Sequence, residues 1–145
     1  MAERTEGSTT IAASPAEVMA VINDYASYPA WAGVKTAEVL TEYEDGTPAE
    51  VRLSVSQMGI DATYTLAYEY YEDDGGVSWT TVEASGAVKD IQGEYVLDPA
   101  GDGTEVTYRL ALEMGVSLPG FLRRKAEKQV VSTALGGLKK RVEGG

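Results

Sequence analysis

The sequence contains no cysteine, no histidine, a single phenylalanine and five prolines, and its 145 residues include only 12 basic against 23 acidic side chains. Each shortage removes some chemistry. Without imidazole or thiol there is no Ser-His-Asp or Cys-His nucleophile system, no His or Cys metal site and no thiol redox couple. A disulfide framework is excluded too, so stability must come from a buried core, which a chain of this length can build. No apolar run approaches the ~20 residues that cross a bilayer. The opening Met1-Ala-Glu-Arg-Thr-Glu6 lacks the basic region and apolar stretch of an export signal. These absences point to a soluble, cytoplasmic chain without metal or other cofactor, whose possible catalysts are carboxylates, tyrosines, lysines and arginines.

Positive charge is scarce and also localised. The formal net charge is −11, which disfavours a nucleic-acid partner because phosphate binding needs basic surface. Residues 1–122 hold 21 acidic and five basic side chains (Arg4, Lys35, Arg52, Lys89 and Arg109), a net −16. Residues 123–145 hold seven basic side chains against Glu127 and Glu143, a net +5. The cluster Arg123, Arg124, Lys125 and Lys128 is either a solvated helix face or a docking surface for an acidic partner.

What is present reads as a single domain over residues 1–145, with no linker, repeat or low-complexity tract. Ser8–Ala13 is β-branched and short, a strand. At Ser14-Pro15-Ala16-Glu17 a cap, a first-position proline and a capping-box glutamate coincide, and the helix that follows carries Val18, Val21 and Ile22 on one face. A second helical turn covers Tyr25–Trp31. Six strands then alternate with turn signals: Val34–Tyr43, Ala49–Met58, Asp61–Glu72, Val77–Ala84, Ala87–Leu97 and Thr104–Met114. Turns are expected at Glu44-Asp45-Gly46 and Asp73-Asp74-Gly75-Gly76, and a loop at Asp98–Gly103. The Ala87–Leu97 segment alternates poorly, and a bulge there would decide which of Lys89, Asp90 and Gln92 face inward. After Leu118-Pro119-Gly120, a long helix over Phe121–Val142 is predicted from three-to-four spacing of Leu122, Ala126, Gln129/Val130, Thr133/Ala134, Gly137/Leu138 and Arg141/Val142. The fold class is α+β: a bent antiparallel sheet of about seven strands wrapped around a long C-terminal helix, with two short helices after the first strand.

Particular segments carry a family resemblance. Ile11-Ala-Ala-Ser14-Pro15-Ala-Glu-Val18 and Asn23-Asp24-Tyr25-Ala-Ser-Tyr28-Pro29-Ala-Trp31 are similar to the opening of polyketide cyclase/dehydrase-like proteins. Gly93-Glu-Tyr95-Val-Leu97 and Gly103-Thr104-Glu-Val106-Thr-Tyr108 match the late strands of that group, and Leu118-Pro119-Gly120-Phe121 and Leu138-Lys-Lys-Arg-Val-Glu143 match its final helix. The group lies in the START-like, birch-pollen-allergen-like (SRPBCC) superfamily. The resemblance implies the helix-grip fold with a deep apolar cavity between sheet and helix. It speaks to fold far more than to activity, because one fold hosts many functions.

Alternation nominates the lining of such a cavity. Val51, Leu53, Val55, Tyr64, Leu66, Tyr68, Trp79, Tyr95, Tyr108 and Leu110 share the inner face. From the helix, Gln129, Thr133, Gly136 and Gly137 are placed toward the same space. Two mid-helix glycines cost about 1 kcal/mol each relative to alanine, which close packing or room for a ligand would explain. Nine tyrosines against one phenylalanine is an unusual core composition, since each buried hydroxyl needs a partner. Either the tyrosines reach the rim of a packed core, or they decorate a pocket. Carboxylates fall in turns or on outward strand positions, which argues against a catalytic dyad. Aromatase/cyclase relatives are thought to position substrate with an inward arginine, whereas Arg52 and Arg109 fall outward here.

Three functions compete on this reading. The first is non-catalytic binding of a small hydrophobic molecule such as a lipid, quinone or polyketide, through Val55, Tyr64, Leu66, Tyr68, Trp79, Tyr95, Tyr108, Leu110, Gln129 and Thr133. The second is a polyketide aromatase/cyclase or dehydratase-type enzyme using cavity tyrosines. The third is an interaction protein that meets an acidic partner at Arg123, Arg124, Lys125 and Lys128, as the resemblance allows for relatives that associate with ribosomes or quinone-utilising complexes.

Overall fold

The capping box at Ser14 forms. Glu17 N–H donates to Ser14 Oγ at 3.2 Å, and Ser14 N–H donates back to the Glu17 carboxylate at 3.4 Å. With Pro15 at the first helical position this starts α1, Pro15–Ile22. The computed structural model describes residues 5–57, 60–86, 88–114 and 119–144. Around α1 it contains β1 (Thr5–Ile11) and a 3₁₀ helix (Tyr25–Ala30), followed by β2 (Thr36–Glu42), β3 (Pro48–Gln57) and β4 (Ile60–Tyr70). Then come β5 (Gly76–Gly86), β6 (Val88–Ala100), β7 (Gly103–Met114) and α2 (Gly120–Glu143). The expectations that fell on Arg4, Met58, Gly59, Ala87 and Leu118 lie outside the described residues.

The seven strands form one curved sheet in the order β1-β7-β6-β5-β4-β3-β2, every neighbouring pair antiparallel. Strands β2 to β7 follow one another as a meander, and β1 lies beside β7 with Thr5 opposite Leu110 and Ile11 opposite Thr104. The hairpin after β2 is set by Asp45, whose carboxylate accepts from both Thr47 N–H (3.0 Å) and Thr47 Oγ1 (2.6 Å). Gly46 supplies the positive φ of +87° that this turn needs.

Several boundaries differ from the sequence reading. Strand β1 runs Thr5–Ile11 rather than Ser8–Ala13, because pairing with β7 recruits Glu6 and Gly7 while Ala13 N–H turns back to Ile11 O. Strand β6 continues through Pro99 to Ala100, so the expected Asp98–Gly103 loop contracts to Gly101-Asp102. Pro99 is tolerated there because β5 stops pairing at Val96, leaving that side of β6 open. The suspected bulge exists: register shifts between Val88 and Asp90. It turns Val88 and Ile91 inward and leaves Lys89 and Gln92 exposed.

Helix α2 covers one end of the sheet, lying chiefly on β1 and β7. Its buried residues are Glu127, Val131, Ala134, Leu135 and Leu138. The expected stripe was shifted by about one position, since Leu122, Gln129 and Val130 are exposed. Adjacent residue pairs left the helix phase ambiguous, and two tertiary contacts choose it. Gly7 in β1 lets the helix approach: a Cβ there would lie 2.7 Å from Val131 Cγ1 and 3.2 Å from Leu135 Cδ1. Glu127, fully buried, accepts from Thr5 Oγ1 at 2.7 Å and from Leu112 N–H at 2.8 Å, joining α2 to both β1 and β7.

The mid-helix glycines separate into two cases. A Cβ on Gly137 would sit 2.1 Å from the Trp31 carbonyl oxygen, whereas one on Gly136 meets nothing within 4 Å. Close packing therefore explains Gly137 and does not explain Gly136. Gly137→Ala should lower stability by about 1–3 kcal/mol through overpacking. Gly136→Ala should raise it by up to about 1 kcal/mol through helix propensity. Urea unfolding of the two variants checks both signs; equal effects would contradict the assigned contacts.

Candidate functional site

The inner face of β3 to β7 gathers most of the nominated residues. Tyr64, Leu66, Tyr68, Trp79, Tyr95, Tyr108 and Leu110 are buried in one hydrophobic cluster, with Val51 and Leu53. Val55 is half-buried against the same cluster. On α2, Thr133 is half-buried and Gln129 is exposed. The sheet therefore brings its predicted residues together, whereas Gln129 of the helix stands exposed.

Aromatic rings dominate this interior as a connected chain. Trp79 lies 5.5 Å from Tyr95 and 5.4 Å from Tyr108, and those two meet edge to face at 4.7 Å. Tyr68 links Trp79 (6.0 Å) to Tyr25 (4.6 Å), and Tyr25 continues through Tyr28 (4.8 Å) to Trp31 (4.8 Å). These are favourable ring separations for offset and T-shaped contacts. Tyr25, Tyr28 and Trp31 were missing from the nominated lining because strand alternation cannot reach them. Their spacing of three matches a 3₁₀ helix, which puts i and i+3 on one side. That periodicity was the available signal. Glu127 was missed in the same way, although its spacing to Val131, Ala134 and Leu138 is helical.

Eight of the nine phenolic hydroxyls fall into two groups; the ninth, that of Tyr71, donates to Glu94 at 2.6 Å. Tyr28 donates to Ile22 O at 2.6 Å, Tyr70 donates to Pro48 O at 2.8 Å and lies 3.2 Å from the Tyr25 hydroxyl, and Tyr43 donates to Tyr68 O. These are anchored. No hydrogen bond between described residues engages the hydroxyls of Tyr64, Tyr68, Tyr95 and Tyr108. Nor are they among the sealed, unpartnered side-chain atoms of the described residues, which are Asn23 Oδ1, Trp31 Nε1 and Arg123 Nε. All four residues are buried in the aromatic cluster, with 4 to 9% of each still exposed.

Burial keeps these phenols neutral. It pushes the Tyr64 hydroxyl up to about 12 and raises Tyr95 further. Tyr25, Tyr28, Tyr68 and Tyr108 are raised well above the ordinary value, first by burial and then because each phenolate would face other tyrosines. Such groups donate hydrogen bonds to a carbonyl oxygen and are poor bases near neutral pH.

Cations flank this interior on the outside. Arg109 donates to Glu6 at 2.6 Å and to Glu94 at 3.2 Å, and Arg52 lies 3.4 Å from Glu38. Both arginines face outward, as alternation indicated. Asp73 and Asp74 sit exposed in the turn before β5. Among the described residues no group of His, Cys, Asp and Glu side chains could hold a metal ion, and no helix is long and apolar enough to cross a membrane. Arg124, Lys125 and Lys128 are exposed and Arg123 is half-buried.

Residues 2–143 match the family model for polyketide cyclase / dehydrase and lipid transport. The chain belongs to this family. Solved structures support the fold of the polyketide cyclase/dehydrase and lipid transport group throughout. A START superfamily protein from Mycobacterium smegmatis is 22% identical with a TM-score of 0.89, covering 98% of both chains. An aromatase/cyclase from Streptomyces sp. R1128 is 18% identical with a TM-score of 0.74, over 98% of this chain and 96% of that one. A STAR-related lipid transfer protein from Xanthomonas axonopodis is 21% identical with a TM-score of 0.72, over 97% and 85%. No curated protein matches. The helix-grip expectation is thus met, and the family spans both cyclases and lipid transporters.

The raised phenols make an alkaline prediction. A phenol whose folded pKa exceeds its unfolded value contributes stability below the unfolded value of 10.0, and that stability is lost as pH rises toward the folded value, about 12 for Tyr64. Two units correspond to about 2–3 kcal/mol for this side chain. Tyrosinate absorbance of the buried set should therefore appear together with loss of near-ultraviolet circular dichroism above pH 10. Full ionisation while the dichroism is retained would show that these hydroxyls are not buried as described.

Proposed function

We propose that residues 1–145 act as one binding domain that holds a small hydrophobic molecule, such as a lipid, quinone or polyketide, between the inner sheet face and α2. One observation carries the reading: the four neutral hydroxyls of Tyr64, Tyr68, Tyr95 and Tyr108 stand within the buried aromatic cluster without a hydrogen-bond partner among the described residues. An interior that only needed to pack would be better served by phenylalanine, because an unpartnered buried hydroxyl is unfavourable by about 1–3 kcal/mol. A ligand oxygen would satisfy them.

Val55, Leu66, Trp79 and Leu110 supply the apolar wall that drives affinity, and the phenols supply orientation. Thr133 contributes from the helix side, and Gln129 stands at the outer margin. The role is binding without turnover, because nothing near neutral pH in this set removes a proton and the Arg52 and Arg109 guanidiniums are engaged outside. The lipid-transport half of the family description is consistent with this, as is the lipid transfer protein of the same fold.

A second reading, an aromatase/cyclase or dehydratase, draws on the same phenols. Protonated hydroxyls polarise a substrate carbonyl and ease enolate formation, and an aromatase/cyclase shares the fold. The two readings part on turnover.

Solvent extraction of freshly purified, denatured protein followed by mass spectrometry should release a hydrophobic compound absent from the buffer. Tyr108→Phe should then weaken binding of a carbonyl-bearing ligand by about five- to tenfold, the effect of one hydrogen bond. Empty extracts, together with no change of tryptophan fluorescence on adding fatty acids or naphthoquinones, would overturn the binding reading. Conversion of a linear polyketide mimic that is lost in Tyr-to-Phe variants would favour the enzyme.

A further inference from the structure

Arg123 is the cation that the outward placement of Arg52 and Arg109 leaves unaccounted for. It precedes Glu127 by one helical turn, on the stripe of α2 that continues through Val131, Ala134, Leu135 and Leu138 into the buried contact with β1 and β7. Its neighbours Arg124 and Lys125 are exposed, but Arg123 is half-buried. Its Nε is cut off from solvent and has no hydrogen-bond partner among the described residues. Glu127, the nearest acid along the stripe, does not take it: one carboxylate oxygen accepts from Thr5 Oγ1 and the other from Leu112 N–H. A guanidinium is charged at every accessible pH and presents its N–H groups as a fixed fork. A sealed donor on that fork is unfavourable until an acceptor arrives.

The position of this side chain selects the acceptor. The chain leaves β7 at Met114 and begins α2 at Gly120, and Glu127 is fastened to Leu112. Arg123 therefore lies beyond Leu112, at the end of the sheet where the inner-face residues are aliphatic: Val88, Ile91 and Leu112, all buried. An apolar chain entering there would run past these side chains toward the ring cluster at Trp79, Tyr95 and Tyr108. We propose that Arg123 receives the carboxylate of an amphipathic acid whose apolar portion occupies the interior. This inference rests on the binding reading above and narrows its ligand to an acid with a hydrophobic tail. The carboxylate matches the fork in shape and charge.

The test compares oleic acid with oleyl alcohol, which share a chain and differ in the head group. Each is titrated by tryptophan fluorescence into the wild type, Arg123→Gln and Arg124→Gln. The acid should bind the wild type roughly tenfold or more tightly than the alcohol, and Arg123→Gln should abolish that preference while keeping alcohol affinity. Arg124→Gln, which removes the same charge from an exposed position, should keep the preference. If Arg123→Gln loses both probes, Arg123→Lys decides. Retained alcohol affinity with a weakened acid preference supports the role of the fork, and an unchanged acid preference overturns it. Equal binding of the two probes to the wild type, or an equal loss in Arg124→Gln, overturns the role of Arg123 alone. Failure of both probes to bind the wild type overturns the binding reading itself, and the inference with it.

Discussion

Burying a phenol commits a protein to finding something for its hydroxyl to bond. The ring contributes apolar area, but the oxygen must meet an acceptor, a water or a ligand. This chain applies that constraint repeatedly, because it fills its interior with tyrosine where phenylalanine would pack as well. Tyr25, Tyr28 and Tyr70 meet the requirement with nearby backbone or with each other. Tyr64, Tyr68, Tyr95 and Tyr108 do not meet it within the described residues. The contrast divides the buried tyrosines into a hydrogen-bonded set beside the 3₁₀ helix and a set on the central strands without such a partner among the described residues. In the proposed function, a ligand oxygen bonds to the second set.

The position of α2 follows from a second requirement of the same kind. Glu127 is a carboxylate with no solvent access, and it is tolerable only because Thr5 and Leu112 both donate to it. Those two bonds hold the helix to the β1–β7 end of the sheet, where Gly7 leaves space for Val131 and Leu135. At the opposite end of α2, Gly137 admits the backbone of Trp31, which ties the 3₁₀ helix and its three aromatic residues to the helix. Both contacts need a missing Cβ at one position. Between them the central strands carry the rings.

Much of this was legible in the chain and some was not. Period-two alternation placed Tyr64, Leu66, Tyr68 and Leu110 on one face, and the structure buries them together. The capping box at Ser14 formed as read, since it depends on residues only three apart. The helix phase was misjudged by about one residue, because Val130/Val131 and Ala134/Leu135 are adjacent pairs of similar hydropathy. Local pattern cannot separate such pairs; contact with Gly7 does. Glu127 counted in the sequence only as a negative charge, since its donors lie 122 and 15 residues away.

The sequence by itself determined the order of the seven strands and of the helices at Pro15, Tyr25 and Gly120, the inward aromatic face and the outward arginines. All of these follow from periods and turns spanning a few residues. It also determined the absence of imidazole and thiol chemistry, which no folding can restore. Only the tertiary structure decided which tyrosine hydroxyls find a partner, which mid-helix glycine is required, and that one arginine of the basic cluster is half-buried. Those outcomes depend on groups far apart in the chain meeting at distances of about 3 Å, the range in which a hydrogen bond is made or lost.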